Sequence, residues 1–316
     1  MDEKNGPPAA REGAPGTDAY ESSLASEGRK WGAQLAAEAA QEMHAWLDHP
    51  RIRDRYLERT KLEGRPWGKW VADRLGGSAR RGMELGCGSG SNSLSFAAAG
   101  VLRAVEGIDA SAERIAKAER RRSAKGVPGA FRVGDANRLV LDRRSYDFIF
   151  SAHSFHHFLA LEEIMEEVHG ALAPGGIFVL EEFVGPTQFQ WSDVQIDLTR
   201  SLLSLLPERF RRFRWGATKD AEGRPTVAEV VAASPFESIR SAEIVPLFRE
   251  NFRVLECRPL GGTIQHLLYN GIIHNFVPGD GEADRAIDSV IAVEDALIDG
   301  RWLPSDFMLL VGTRKD

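Results

Sequence analysis

Between residues 82 and 183, short apolar runs alternate with longer stretches in which apolar residues recur at helical spacing. The short runs predict five strands, at 83–85, 104–108, 130–133, 146–150 and 177–183. The longer stretches predict helices at 91–99, 111–122 and 160–172. This alternation predicts an α/β fold with a Rossmann-like, mostly parallel sheet and helices on both of its faces.

The segment before this region is predicted to lie outside the sheet. Residues 1–28 are rich in glycine, proline, alanine, serine and glutamate, so we expect a disordered tail there. Residues 29–76 follow a helical pattern and predict a helical N-terminal extension. The core of the fold then begins, and residues 77–185 contain its first five strands.

The segment that follows the fifth strand predicts a cap and the remainder of the sheet. Residues 186–237 are rich in leucine at helical spacing, so we expect a helical insertion over the ligand edge of the sheet. Residues 238–316 complete the core with inserted helices, and they predict strands at 252–258 and 307–312. One of the inserted helices is predicted at 263–276.

Composition and charge narrow the class of protein. Apolar residues make up 43% of the 316 residues and charged residues 27%, which predicts a sizeable core. The net charge of −6 disfavours a nucleic-acid partner, because affinity for a polyanion is built from an excess of lysine and arginine. No stretch approaches the ~18 consecutive apolar residues of a membrane helix. With two cysteines and an N-terminus that lacks an apolar signal segment, we expect a cytoplasmic protein without a membrane partner.

A glycine-rich loop follows the first predicted strand. Gly86, Gly88 and Gly90 let the backbone turn sharply and approach a ligand closely, although a tight turn alone also explains them. Asp109 closes the second strand near the ~20-residue offset at which an acidic residue binds ribose hydroxyls. Asp135 follows the third strand, where its carboxylate is able to accept a hydrogen bond from an adenine amino group. The two aspartates favour a ligand site over a plain turn.

Together these segments resemble the class I S-adenosylmethionine-dependent methyltransferase superfamily. The segments that carry the resemblance are ELGCGSG (84–90), GIDAS (107–111), GDA (134–136), YDFIFSAHSFHHF (146–158) and ALAPGG (171–176). The resemblance implies a seven-stranded sheet with the last strand antiparallel, and S-adenosyl-L-methionine as cofactor. The cofactor residues that it implies are Glu84, Gly86, Gly88, Gly90, Asp109, Ala110, Asp135, Ala136 and Ser151.

A nicotinamide-binding Rossmann domain is the main alternative for the glycine loop. Its G-x-G-x-x-G spacing requires a third glycine where this chain has Ser91. S-adenosylmethionine also carries no pyrophosphate for a helix N-terminus to bind. The methyltransferase interpretation is therefore favoured.

The candidate catalytic residues are the imidazoles and carboxylates after the fourth and fifth strands. His156, His157 and Glu182 are candidate general bases if the acceptor is a hydroxyl, whereas a neutral amine acceptor needs none. Packing or cofactor contact is the alternative role for the histidines. We expect no metal, because no cysteine or second group of ligands lies near the histidines in sequence. Candidate residues for the acceptor are Gln190, Trp191 and His266.

The predicted function is methyl transfer from S-adenosylmethionine to a small or medium-sized organic acceptor. Oxygen or nitrogen is methylated, with a sugar or a natural-product intermediate as examples of the acceptor. The alternatives are a nucleic-acid or protein methyltransferase and a non-catalytic cofactor-binding module. Residues 151–154 read SAHS, where enzymes that methylate amino groups of nucleic acids usually carry Asn/Asp-Pro-Pro-aromatic. The sequence does not specify the acceptor, the methylated atom or the oligomeric state.

Overall fold

The computed structural model describes residues 15–39 and 43–315, and its centre is a seven-stranded sheet. The strands are β1 (Gly82–Leu85), β2 (Val105–Asp109), β3 (Gly129–Val133), β4 (Tyr146–Ala152), β5 (Leu172–Phe183), β6 (Phe252–Gly261) and β7 (Phe307–Arg314). Their order is β3-β2-β1-β4-β5-β7-β6. The first five pair in parallel, while β7 runs antiparallel between β5 and β6. The predicted fold class is confirmed.

The order of the strands reverses between β1 and β4, which are neighbours in the middle of the sheet. In open α/β sheets, ligands bind outside the carboxyl ends of the strands at such a reversal. The glycine loop leaves β1 at this edge, Asp109 ends β2 beside it, and the loop after β4 faces both. The topology alone thus brings the sequence motifs to one place.

Helices cover both faces of the sheet. They are α1 (Asp18–Ala39), α2 (Pro50–Arg59), α3 (Trp67–Arg74), α4 (Ser91–Ala98), α5 (Ala112–Ala124), α6 (Leu161–Ala171), α7 (Asp193–Leu205), α8 (Val227–Ala233), α9 (Ile244–Asn251), α10 (Gln265–Tyr269) and α11 (Gly281–Asp299). Along β4, Phe148 and Phe150 point into one apolar cluster and Ile149 into the other, because successive strand residues face opposite sides. Among the described residues, no helix has the length and apolar content needed to span a membrane.

The disordered tail predicted for residues 1–28 is wrong for its second part. Residues 1–14 lie outside the described residues, whereas α1 begins at Asp18. Tyr20 is 1% exposed and Glu27 is 5% exposed, so this helix is stabilised by docking on the core. The prediction of disorder rested on the low apolar content of the segment, which measures how much apolar surface the segment is able to bury by itself. Helix α1 is instead stabilised by the few side chains that it buries against other elements.

The continuous helix predicted at 263–276 is also wrong. Helix α10 ends at Tyr269, and a separate 3-10 turn occupies Ile273–Asn275. Gly271 between them has a φ of +75°, which lies outside the helical region. The apolar periodicity of this stretch comes from two short segments that pack on the same core.

Candidate active site

Two of the three glycines in the loop after β1 are required by close approach as well as by backbone conformation. Gly86, Gly88 and Gly90 have φ values of +67°, +51° and +71°. A Cβ on Gly86 would lie 2.3 Å from Cβ of Ser154, in the loop after β4. A Cβ on Gly90 would lie 2.8 Å from the ring of Phe131 on β3. Gly86 therefore lets the loops of two central strands meet, and Gly90 lets the loop pack on the sheet.

The carboxylate of Asp109 ties the glycine loop to the end of β2. One oxygen accepts a hydrogen bond from the backbone N–H of Gly88 and the other from that of Ser111, each at 2.8 Å. Burial raises the pKa of Asp109, and these two N–H donors act in the opposite direction. Because each carboxylate oxygen has a second acceptor site, Asp109 is still able to bind two hydroxyl groups of a ligand.

Glu84 lies beneath the same loop and is 1% exposed. It accepts hydrogen bonds from the side chain of Asn92 and from the backbone and hydroxyl of Ser93, which begin α4. Burial raises the pKa of Glu84 to about 7 despite these donors. A cationic group in contact with Glu84 would favour its ionised form and lower this pKa.

These groups surround one cavity of about 350 Å³ at the carboxyl edge of the sheet. The predicted cofactor residues that line it are Glu84, Gly86, Gly88, Asp109, Ala110, Asp135 and Ala136. The structure places the other two behind the wall. Gly90 packs on Phe131, and the hydroxyl of Ser151 donates to the Leu85 carbonyl at 2.9 Å.

The chemistry of the lining fits S-adenosylmethionine. Three carboxylates, those of Glu84, Asp109 and Asp135, face one partly closed space, which favours a ligand with positive charge. The sulfonium and ammonium groups of this cofactor are cationic, and its ribose hydroxyls match the two acceptor sites left on Asp109. Gly86 and Gly88 have positive φ values, which favour glycine, and glycine brings no Cβ atom into this lining.

Helix α1 forms one wall of the cavity, and the sequence analysis did not find this wall. Leu24, Glu27 and Trp31 line it, while the hydroxyl of Tyr20 donates to the carboxylate of Asp135 at 2.9–3.0 Å. These four positions are spaced as i, i+4, i+7 and i+11, which is one face of a helix. This helical spacing was the signal in the sequence that could have predicted α1. It was missed because most residues around these four positions are small or polar.

Replacing Tyr20 with phenylalanine is expected to weaken cofactor binding and to lower stability by about 1.5–3 kcal/mol, the value of a hydrogen bond to a charged group. The reason is that Tyr20 fixes α1 to Asp135, which lines the cavity. Tyr146→Phe is the matched control, because the Tyr146 hydroxyl donates to the carboxylate of Glu106 at 2.9 Å, outside the cavity. Both variants should have a lower melting temperature than the unmodified protein. Only Tyr20→Phe should lose cofactor affinity in calorimetric titration. Equal affinities in the two variants would contradict a role for α1 in the site.

His156 and Glu182 form a buried pair that positions the loop after β4. Nδ1 of His156 lies 2.5 Å from Oε1 of Glu182, which is fully buried and also accepts the backbone N–H groups of Ser154 and Phe155. Burial by itself would lower the pKa of His156, but Glu182 and Glu237 outweigh it and raise the pKa to about 10. Neither His156 nor Glu182 lines the cavity. Their contacts hold the loop after β4 in place.

His157 is the predicted catalytic residue that the structure brings to the cavity. Burial and the neighbouring His156 lower the pKa of His157 to about 3, so its imidazole is neutral. Its Nδ1 makes no hydrogen bond within the described part of the chain and lies 3.4 Å from Oε1 of Glu27. The ring meets Trp31 edge-on, with 5.2 Å between centroids. His157 and α1 thus share one wall.

The three predicted acceptor residues lie outside this lining. Nε1 of Trp191 donates to Asp306 at 3.1 Å, and the amide of Gln190 donates to the Pro225 carbonyl at 2.9 Å. His266 sits in an aromatic cluster, and burial lowers its pKa to about 4. The rings around it, at centroid distances of 5.6–6.0 Å, are those of Phe183, Phe189, Trp191 and Phe307. Phe183 also contacts His156, so this cluster adjoins the positioning pair.

Known proteins are similar to a part of the chain that contributes to this site. Residues 83–180 match a family described as a methyltransferase domain. Demethylmenaquinone methyltransferase of Geobacillus stearothermophilus is 23% identical over 182 residues, which are 55% of this chain and 78% of that enzyme. Squalene methyltransferase 2 of Botryococcus braunii is 31% identical over 110 residues, which are 34% of this chain and 29% of that enzyme.

One solved structure is similar to this chain at lower sequence identity. Phosphoethanolamine N-methyltransferase 2 of Haemonchus contortus, in complex with S-adenosyl-L-methionine, is 15% identical and has a TM-score of 0.49. The alignment covers 86% of this chain and 59% of that one. With the strand order, the lining of the cavity and the family match, the chain carries a methyltransferase domain of the class I S-adenosylmethionine-dependent superfamily. S-adenosyl-L-methionine is its cofactor.

Proposed function

We propose that this protein transfers a methyl group from S-adenosylmethionine to an oxygen or nitrogen of a small or medium-sized organic acceptor. The observation that carries the proposal is the single cavity where seven of the nine expected cofactor residues meet His157 and α1. The cofactor supplies an electrophilic methyl group on its sulfonium. The size of the acceptor is inferred from α1 and Phe236, which line the cavity and leave room for a discrete molecule.

The residues of the chain are proposed to act mainly by orientation and by exclusion of water. Asp109 and Glu84 hold the cofactor side of the cavity, and α1 closes the opposite side, so the reacting groups are held together in a sheltered space. His157 lines the cavity with a neutral imidazole, which is proposed to contact the acceptor there. Because its pKa is low, His157 is a weak base and its main contribution is to position the acceptor.

The acceptor class has support from the neighbourhood of the cavity and from relatives. His153 lines the cavity and its ring lies 5.8 Å from that of Phe307, which belongs to the aromatic cluster around His266. Apolar rings therefore lie directly behind the cavity wall at His153. The names of two relatives specify demethylmenaquinone and squalene, which are organic molecules rather than macromolecules. They support the size of the acceptor and not the choice of atom, because squalene is a hydrocarbon without oxygen or nitrogen.

The test has a binding arm and a transfer arm. At ~100 times its dissociation constant, a ligand adds about 2.7 kcal/mol to stability, so S-adenosylmethionine or its demethylated product should raise the melting temperature by several degrees and NAD should not. The transfer arm uses cofactor with a labelled methyl group and fractionated cell extract. Label in the small-molecule fraction supports the proposal. Label in protein or nucleic acid, or binding without any transfer, would overturn it.

A further inference from the structure

Three ligand-type side chains from two separate segments converge beside the cavity. Nε2 of His156 lies 3.5 Å from Oε1 of Glu237. Ligand atoms of His156, His157 and Glu237 all lie within 4.8 Å of one another. The histidines follow β4, and Glu237 follows α8. The fold thus supplies the second group of ligands that is absent from the sequence around the histidines.

The spacing of these atoms suits a central cation better than direct hydrogen bonds. The 3.5 Å between Nε2 of His156 and Oε1 of Glu237 exceeds the length of a good N–H···O hydrogen bond. With zinc–ligand bonds of about 2.0–2.1 Å, two ligands at neighbouring corners of a tetrahedron lie about 3.3–3.4 Å apart. Nδ1 of His157 is buried and makes no hydrogen bond among the described residues.

The surroundings of His156 match those of a metal-binding histidine. Its Nδ1 is bonded to Glu182 at 2.5 Å, which orients the ring and points Nε2 toward Glu237. Glu182 is itself held by the backbone N–H groups of Ser154 and Phe155. A histidine that binds a metal through one nitrogen and a carboxylate through the other is the usual arrangement in metalloproteins.

We propose that His156, His157 and Glu237 bind a divalent cation of the zinc type in the wall of the cofactor cavity. Two imidazoles and one carboxylate, with a fourth position open, are a ligand set that zinc accepts. Lys30 lies 3.8 Å from the other carboxylate oxygen, Oε2, of Glu237, and it therefore leaves Oε1 available. Glu27 is excluded from the set because its Oε1 accepts hydrogen bonds from Nε1 of Trp31 at 2.6 Å and from the hydroxyl of Ser234 at 2.7 Å. The bound cation joins the segment after α8 to the loop after β4.

The cation also has a role in the proposed methyl transfer, and this role rests on that proposed function. His157 lines the cavity, so the cation lies where an oxygen of the acceptor is able to bind it as the fourth ligand. A cation in contact with a hydroxyl oxygen lowers the pKa of that hydroxyl. This would supply the activation that the weak base His157 does not.

The test is titration of the metal-free, full-length protein with Zn²⁺ alone, followed by calorimetry. We expect one cation per chain, with affinity reduced by about tenfold or more in His157→Gln and Glu237→Gln. The matched controls are His169→Gln, whose side chain is bonded to the Lys315 carbonyl, and Glu243→Gln, whose side chain pairs with Arg240. No stoichiometric binding, or equal affinity in variants and controls, would overturn the inference.

A spectroscopic arm avoids dependence on whether the variants fold. Co²⁺ bound to the unmodified protein should give the intense visible absorption of tetrahedral coordination, and the weak absorption of six-coordinate cobalt would count against the site. Cofactor-induced stabilisation of the metal-free protein is measured in parallel. If that stabilisation is present and Zn²⁺ does not bind, the metal site fails while the methyltransferase proposal stands.

Discussion

Replacing Asp109 with alanine is expected to abolish most of the stabilisation that S-adenosylmethionine gives to this protein. Asp109 has two acceptor sites left after binding the N–H groups of Gly88 and Ser111, and it lines the cavity. Hydrogen bonds to a charged group contribute about 1.5–3 kcal/mol each, so losing two lowers cofactor affinity by ~100-fold or more. The measurement is the shift in melting temperature caused by a fixed concentration of cofactor.

The shift is the quantity to compare, because Asp109→Ala also removes two contacts that hold the glycine loop and lowers the melting temperature of the protein alone. Asp193→Ala is a suitable control, since the Asp193 side chain is 90% exposed and pairs with Arg224 at the start of α7. It should leave the cofactor-induced shift unchanged. A full shift in Asp109→Ala would show that the ribose hydroxyls are bound elsewhere.

The second large effect is expected from Gly86→Ala. The new Cβ would overlap Cβ of Ser154 at 2.3 Å, in a backbone conformation with φ of +67° that alanine disfavours. Left-handed strain costs about 1–2 kcal/mol, and crowding in a packed site adds about 1–3 kcal/mol. To relieve the overlap, the loops after β1 and β4 must separate, and both loops line the cavity. Cofactor binding should be lost together with stability.

Gly100→Ala separates the effect of crowding from that of backbone strain. Gly100 has a φ of +71°, nearly the value of Gly86, but no described atom lies within 4 Å of the position of its Cβ. Urea unfolding should show a loss of about 1–2 kcal/mol for Gly100→Ala with unchanged cofactor affinity. For Gly86→Ala we expect a larger loss of stability and no measurable affinity. Similar results for the two variants would contradict the contact between the loops.

The sheet and the cofactor half of the site were predictable because their signals are local. The strands from β1 to β4 begin within a residue of their predicted positions, since each is a short apolar run between turn residues. Ser111 caps α5 by accepting the N–H of Arg114, and serine is a residue type that this position favours. The glycine loop and Asp109 meet because parallel strands end at the same edge of the sheet.

The other half of the site depends on contacts between distant segments, which a periodic pattern does not encode. Glu27 and Glu237 reach His157 and His156 only through the docking of α1 and the course of the chain after α8. The positions expected for the acceptor failed to reach the cavity for the same reason. Trp191 is drawn instead to the buried Asp306, which lies just before β7 and more than a hundred residues away in sequence.

The wall contributed by α1 has a practical consequence for defining the working unit of this protein. The family match begins at residue 83, whereas Leu24, Glu27 and Trp31 come from far upstream and complete the binding pocket. A chain cut at the start of the family match would keep the glycine loop and Asp109 but lose the wall that α1 provides. It would also lose core side chains of the N-terminal helices, such as Trp67 and Trp70. Expression of the protein for binding studies should therefore include the residues upstream of the matched region.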